Sequence, residues 1–530
     1  MKKIGDLVFV WLGGLVIVCL AAVFQSSPGY MDAEYYFAGG KLIWQGKAFR
    51  EPFLWNYLAD PTSLPAPAFT YWMPLASVLA WLGMILGNKA SFQIARLPFL
   101  LLSSFIPPLT YALSWQIKGQ RFIALLAALM AWLPMYFLAY LATTDTFAIY
   151  MILGSVWLIL AGKIPELGKG GCFLAGIVSG LMHLTRADGL LWMLMFLTML
   201  LIDGGKKWPQ QEKVFPFSTL LLFFAGYLLV MGGWYGRNWM EFQSLFPRGN
   251  QRALFFHTYN DLFRYPAYEL DFAYFLKDGL APIIHDRLYA ISQNLQTLIA
   301  VQMEILLFPL FMLGYWKKRS EPIVRAGSIA WLMMFALMSV VFPFAGWRGG
   351  YFHVSAAFQP LVWCLASEGL GGFVHWGVRK RDWNATQALR VFSIFILIFL
   401  LILTAYIYKV RVIGNDPSQP VWEESQRRQA QICNALRMVL TGDELREEVM
   451  MINNPIGFYL VCERSAVSVP VGGERAVQMV AQQFGARFLV LESDHPLELG
   501  DYFFAPRNTG LLTLIDNQPE WKIYCIHETP

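Results

Sequence analysis

Long apolar runs separated by short polar segments dominate the chain. Met1-Lys2-Lys3 precedes an apolar run over Leu7–Phe24. Further runs fall at 92–115, 121–142, 146–162, 172–186, 188–203, 214–236, 295–316, 325–343, 351–370 and 391–409. A helix needs roughly 20 apolar residues to cross about 30 Å of hydrocarbon. The pattern therefore predicts an α-helical polytopic membrane protein with about eleven transmembrane helices. No Ala-x-Ala cleavage site follows the first run, which reads as an uncleaved span with a cytoplasmic N-terminus. Cys172–Ile202 would measure roughly 46 Å as one helix. That is too long, and Arg186-Ala187-Asp188-Gly189 sits in its middle, so a hairpin turning at Thr185–Gly189 is predicted. Tyr71–Gly87 is apolar too. A span there would carry Lys118, Arg121, Lys163 and Lys169 to the outer side, so it is read as a helix lying along the outer membrane surface.

Two outer loops are long, about 25–91 and 237–294. Loops of this length are usually functional or docked on another element. Beyond residue 415 the pattern changes. Val421–Leu440 and Gly473–Phe484 have helical spacing, and Val449–Ile452, Phe488–Leu491 and Lys522–Ile526 read as strands. A membrane domain over 1–410 and a small α/β domain over 415–530 are predicted.

Composition sharpens this reading. Hydrophobic residues make up 56% and charged residues 15% of the 530, against about 25% charged in a soluble domain. A soluble globular protein, a disordered chain and a nucleic-acid binder are excluded. The net charge of +5 is unevenly spread. Residues 1–409 hold 31 Lys/Arg and 20 Asp/Glu (31 − 20 = +11), and 410–530 hold 10 and 16 (10 − 16 = −6). Clusters such as Lys317-Lys318-Arg319 and Arg379-Lys380-Arg381 fall in predicted inner loops. Basic inner loops orient a membrane protein, which puts the acidic tail outside the cell membrane. The six cysteines match no zinc or redox spacing. Cys19, Cys172 and Cys364 lie in apolar runs, while Cys433, Cys462 and Cys525 leave open either one disulfide or free thiols.

The candidate chemistry gathers on the outer side. In Tyr30-Met31-Asp32-Ala33-Glu34-Tyr35-Tyr36, just after the first span, two acids sit at i, i+2. Such carboxylates deprotonate an acceptor hydroxyl or hold a divalent ion, or else are a solvated helix cap or surface acids. Asp145, in Thr143-Thr144-Asp145-Thr146, is at an outer turn, where it is a functional acid, an N-cap, or both. Arg186 and Asp188 either pair with each other or leave Arg186 free for a phosphate. His183 reads as an interior histidine. Arg237-Asn238 and Trp347-Arg348-Gly349-Gly350-Tyr351-Phe352-His353 also reach the outer surface. Their arginines either snorkel to headgroups or converge with Arg186 on a phosphate, with His353 as a polar contact. Asp261, Glu269 and Asp271 read as loop-surface acids. Trp55, Tyr57, Tyr71 and Trp72 suit an interfacial belt, or alternatively sugar stacking.

These segments together resemble a known family. Pro28-Gly29-Tyr30-Met31-Asp32-Ala33-Glu34-Tyr35-Tyr36, Trp55-Asn56-Tyr57-Leu58, Tyr71-Trp72-Met73-Pro74-Leu75, Thr144-Asp145, Leu184-Thr185-Arg186-Ala187-Asp188-Gly189 and Trp234-Tyr235-Gly236-Arg237-Asn238 are similar to motifs of polyprenyl-phosphate-dependent glycosyltransferases of the C superfamily (GT-C). The branch they resemble is that of bacterial protein O-mannosyltransferases and the lipid A aminoarabinose transferase, and the resemblance covers about 1–410. It implies sugar transfer from a polyprenyl-phosphate donor in the bilayer to a protein, lipid or glycan acceptor on the outer face, with inversion. Asp32 matches the family's general base, and Asp145 the acid that positions acceptor or metal. Glu34 departs from the mannosyltransferase pattern, where the acids are adjacent. Asp32, Glu34 and Asp145 are the implied set for a divalent ion. Arg186, Arg237 and Arg348 become the phosphate binders, with Asp188, His353 and Tyr35 in support. The Trp-Trp-Asp signature of oligosaccharyltransferases is absent. The competing classes are a lipid or sugar transporter, which would place charges near the midplane and show repeats, and a non-catalytic envelope-assembly protein.

Overall fold

A computed structural model describes residues 2–47, 49–117, 119–207, 217–247, 249–439 and 448–527. Lys118, residues 214–216 of the seventh expected span, and Leu440 lie outside the described residues. Helices dominate up to Ile413. Among the described residues, Lys3–Ala22, Phe92–Gln116, Phe217–Phe242, Pro322–Val341 and Ala385–Ile413 are long and apolar enough to cross a membrane. Two bent pairs raise this to seven: Arg121–Met130 with Met135–Leu141, at 47°, and Leu280–Gln302 with Leu307–Lys318, at 95°. The remaining expected segments fall on Phe147–Ala161, Lys169–Thr185, Gly189–Lys207 and Gln359–Arg381. The chain between Thr185 and Gly189 is the turn of a helical hairpin. Leu75–Gly87 is a helix of 13 residues, about 20 Å long at 1.5 Å per residue and too short to span.

The run 295–316 is not the continuous helix that its apolar pattern predicts. The helix breaks after Gln302, where Glu304 and Ile305 adopt left-handed backbone (φ 48° and 55°). Glu304 is buried, accepting from the Trp363 indole at 3.0 Å and the Gln359 amide at 3.5 Å. A carboxyl that must reach polar partners inside an apolar body turns the chain toward them.

Helix packing relies on close backbone approach. A Cβ on Gly314 would lie 1.8 Å from the Leu365 carbonyl oxygen, and one on Gly369 would lie 1.8 Å from that of Leu310. Helices Leu307–Lys318 and Gln359–Arg381 therefore meet main chain to main chain, as membrane helices do where small residues face one another.

The tail carries a mixed sheet. Val449–Met451 pairs in parallel with Ala466–Val467 and Ala486–Glu492, and Trp521–Ile526 pairs antiparallel with Ala486–Glu492 and Leu512–Asn517. The expected helix Gly473–Phe484 is present, and helix Glu424–Val439 covers the segment read as 421–440. The edge strand next to Ala466–Val467 comes from the N-terminal part of the chain, in the segment 25–91: Phe53–Leu54 pairs with it in parallel. Tyr57 donates to the Ser468 carbonyl, and the Ser468 hydroxyl donates to that of Trp55 at 2.7 Å. Of the three tail cysteines, Cys433 and Cys462 form a disulfide, and Cys525 is free.

Replacing Gly369 by Val should force the two helices apart and lower stability by about 1–3 kcal/mol. Thermal unfolding of the purified protein in detergent reads this as a lower midpoint, whereas Gly372→Val, at an open position, should leave it near wild type.

Candidate functional site

The helix after the first apolar run, Met31–Trp44, starts after Tyr30, whose extended backbone (φ −156°, ψ 163°) ends the preceding linker. Asp32 is thus in the first turn, where the helix dipole favours a carboxylate. Asp145 lies in the turn before helix Phe147–Ala161 and is 1% exposed. It accepts from the Tyr30 hydroxyl and from the backbone N–H and hydroxyl of Thr146. Burial pushes the Asp145 carboxyl up; His353 pulls it back, and Asp32 adds to the rise. Burial also pushes the Tyr30 phenol far above its ordinary value, so that it stays a donor to Asp145.

His353 joins the two acids. Its ring stacks on Phe147 at 4.2 Å, its Nε2 lies 3.3 Å from Asp32 Oδ2, and its Nδ1 lies 3.2 Å from Thr146 Oγ1 and 3.8 Å from Asp145 Oδ1. Asp32, Asp145 and His353 bring ligand atoms within 4.8 Å of one another. Two carboxylates and an imidazole suit a divalent cation.

Two cavities meet at Asp32. One, of about 410 Å³, is lined by apolar side chains such as Leu190, Leu191, Leu337 and Phe342, with Arg186, Asp188, Arg348 and His353 among them. The other, of about 590 Å³, is polar and is walled on one side by the tail through Ser425, Arg428, Asn453, Asn454, Glu492 and Asp494. Asp32, Trp55, Trp72, Tyr259 and Arg348 line both.

The expected residues therefore separate into groups. Arg186 and Arg348 reach one cavity. Asp188 accepts from Arg186 Nε and Nη2 (2.9 and 2.7 Å) and from the Tyr150 hydroxyl at 2.7 Å, so the pair satisfies the turn and still faces the cavity. Arg348 stacks on Tyr259 at 4.9 Å. Arg237 lines neither cavity: it donates to the Ala68 carbonyl at 2.8 Å and lies over Trp234 and Phe242. Glu34 also stands apart, bonded to Asn454 and Ser425 of the tail. Tyr35 is buried and donates to Glu51 at 2.5 Å. His183 is interior, bonded to Tyr227.

Other residues of the site were harder to read. Trp55 and Trp72 are stacked at 4.0 Å and line the cavities rather than forming a belt at the surface. Asp261 is buried, not on the loop surface, and closes a capping box with Thr258 that sets Tyr259 in place. Arg428 and Glu492 carry no motif, and only the fold brings them here.

No family model and no curated protein sequence matches the chain. Solved structures do. The oligosaccharyltransferase AglB from Archaeoglobus fulgidus, in complex with an inhibitory peptide and a dolichol-phosphate, matches with a TM-score of 0.60 at 13% identity, over 95% of this chain and 70% of that one. ArnT from Cupriavidus metallidurans in the apo state matches with a TM-score of 0.53 at 12% identity, over 100% of this chain and 99% of that one. The chain has the GT-C fold. ArnT bound to undecaprenyl phosphate matches at 0.51, with 12% identity over 98% of each chain. Both alignments with ArnT thus run over nearly the whole of each chain.

Burial raises the Glu51 carboxyl from 4.5 to about 8, with Tyr35 and the Phe69 N–H pulling it back. The raised value means that the folded state holds the proton more tightly than the unfolded state. This stabilisation is complete below pH 4.5 and is lost as pH rises through about 8. The melting temperature should fall across that window, and Glu51→Gln should flatten the fall.

Proposed function

We propose that the protein is an integral membrane glycosyltransferase. It moves a sugar from a polyprenyl-phosphate donor to an acceptor hydroxyl on the outer face of the plasma membrane, with inversion. The observation that carries this reading is the position of Asp32 on the wall common to an apolar cavity holding two arginines and a polar cavity under the tail. A lipid phosphate needs an apolar surface with cationic donors at its end, and an acceptor needs a polar space reaching the same base. That ArnT binds undecaprenyl phosphate and AglB a dolichol-phosphate supports the donor class.

The donor's isoprenyl chain lies along the apolar cavity, and its phosphate meets Arg186 and Arg348. The sugar rests at Trp55 and Trp72. Asp32 takes the proton of the acceptor hydroxyl as its oxygen bonds to the anomeric carbon. The bond from that carbon to the phosphate oxygen breaks, and polyprenyl phosphate leaves with the electron pair. The arginines stabilise the charge that develops on it. His353, within reach of both acids, orients Asp32, and Asp188 keeps Arg186 in place. A divalent cation would be held by Asp32, Asp145 and His353, and would supply positive charge beside the leaving phosphate. The membrane domain has about eleven spans, counting the shorter helices. Its N-terminus is cytoplasmic, and the tail is extracytoplasmic.

Purified protein should transfer sugar from a synthetic polyprenyl-phosphate sugar. Asp32→Asn should lower kcat by on the order of 10²–10⁴-fold, the contribution typical of a general base. Full transfer by this variant would defeat the base assignment. Arg186→Gln should weaken donor binding, seen as a higher KM for the lipid donor, with Arg237→Gln changing it far less. Manganese should raise the melting temperature in detergent, and Asp145→Asn should abolish that rise.

A further inference from the structure

The tail grips the Asp32 segment at both ends. On the N-terminal side, Glu423 Oε1 accepts from the backbone N–H groups of Ser26 and Ser27 at 2.6 and 3.1 Å. The Trp422 indole donates to the Ser27 carbonyl at 3.0 Å. Its ring lies so close to Gly29 that a Cβ there would come within 2.2 Å, and Gly29 has φ of +91°. The same ring meets Tyr30 edge-on at 5.6 Å, and Tyr30 donates to Asp145.

On the helical side, Glu34 lies two residues beyond Asp32 and is 3% exposed. Its carboxylate accepts from Asn454 Nδ2 at 2.7 Å and from the Ser425 hydroxyl at 3.2 Å. Asn454 Oδ1 meanwhile accepts from the N–H of Gly457, capping the helix Pro455–Cys462. A Cβ on Gly457 would lie 2.9 Å from Glu34 Oε2, so the glycine leaves room for the carboxylate. A buried carboxylate that receives two hydrogen bonds is a directional anchor, because losing one leaves an unsatisfied buried charge.

We infer that the tail is a positioning element for Asp32, with Trp422–Glu423 and Ser425–Asn454 as its two grips. Glu34 is then a positioning residue and not a member of the reacting set. This rests on the transferase reading only for its kinetic consequences. The tail fixes the register of the linker 26–30 and the first turn of the outer helix, and so the distance from Asp32 to His353 and to both cavities. Misplacing a reacting group by about 1 Å costs on the order of 10²-fold in rate. The tail's contribution should therefore appear in kcat rather than in donor KM.

The hydrogen-bond polarity at Glu34 supplies the test in the full-length protein. Asn454→Asp keeps the cap on Gly457 but sets two carboxylates against each other. Glu34→Gln in that background restores an amide-to-carboxylate bond with donor and acceptor exchanged. Asn454→Asp should lower kcat at least about 10-fold with donor KM near wild type, and the double variant should recover the rate of Glu34→Gln alone. Amide hydrogen exchange over 30–36 should quicken in Asn454→Asp and slow again in the double variant. Unchanged exchange in Asn454→Asp overturns the grip, whether or not sugar transfer is detected. Glu34→Gln as inactive as Asp32→Asn, with no recovery in the double variant, overturns the positioning role of Glu34. A wild-type protein that transfers no sugar defeats the transferase reading instead, and the exchange data still decide the grip.

Discussion

A carboxylate buried at the edge of an apolar body must find its partners within the protein, and Asp145 sets that requirement here. Its oxygens draw the Tyr30 hydroxyl, the Thr146 backbone and hydroxyl, and the His353 ring into one cluster. Each comes from a different part of the chain: the linker after the first helix, the turn before helix Phe147–Ala161, and the short helix Tyr351–Ser355. Leaving such a group unpaired costs several kcal/mol, so the three elements are held in one arrangement. Asp32 joins through His353. The two cavities inherit their shared wall from this convergence.

The helical body supports the cluster from below. His353 follows two residues after Tyr351 in the helix Tyr351–Ser355, and the Tyr351 hydroxyl donates to Gln302 at 3.3 Å while accepting from Trp331 at 2.9 Å. Gln302 ends the first limb of the broken helix, and its carbonyl accepts from Gln359. The break at Glu304 and the position of His353 are thus linked through one buried polar network.

The apolar runs made the helices legible because periodicity and length act locally. The hairpin at Thr185–Gly189 followed from the length of the run and the charged residues in its middle, and the reading of Tyr71–Gly87 as a non-spanning helix from the placement of the basic loops. Asp32, Asp145 and Arg186 were legible because charged residues stand out against an apolar background. The same contrast misdirects at Arg237. Its charge is as conspicuous as that of Arg186, but a main-chain carbonyl and aromatic faces absorb it. His353 was singled out only as an assisting polar contact, since nothing in its neighbourhood shows that it stands between two acids. Trp55 and Trp72 have the composition of a membrane belt, and only their mutual stacking against Asp32's cavities separates the two uses. The 295–316 break was hidden because Glu304 is a single polar residue in an apolar run, and its partners, Gln359 and Trp363, are more than fifty residues away.

The strand Phe53–Leu54 has a consequence for how the molecule is made. Its partner Ala466–Val467 follows more than 400 residues later, as the bonds between Trp55, Tyr57 and Ser468 illustrate. During synthesis the Phe53–Leu54 edge must wait unpaired until Ala466–Val467 has been made. An exposed edge is a template for wrong pairing, and contacts of such sequence separation form late. Completing the sheet is therefore among the last steps of assembly. It is also the step that brings Trp422, Glu423 and Asn454 onto the Asp32 segment, so that segment takes its final place only after the tail has been made.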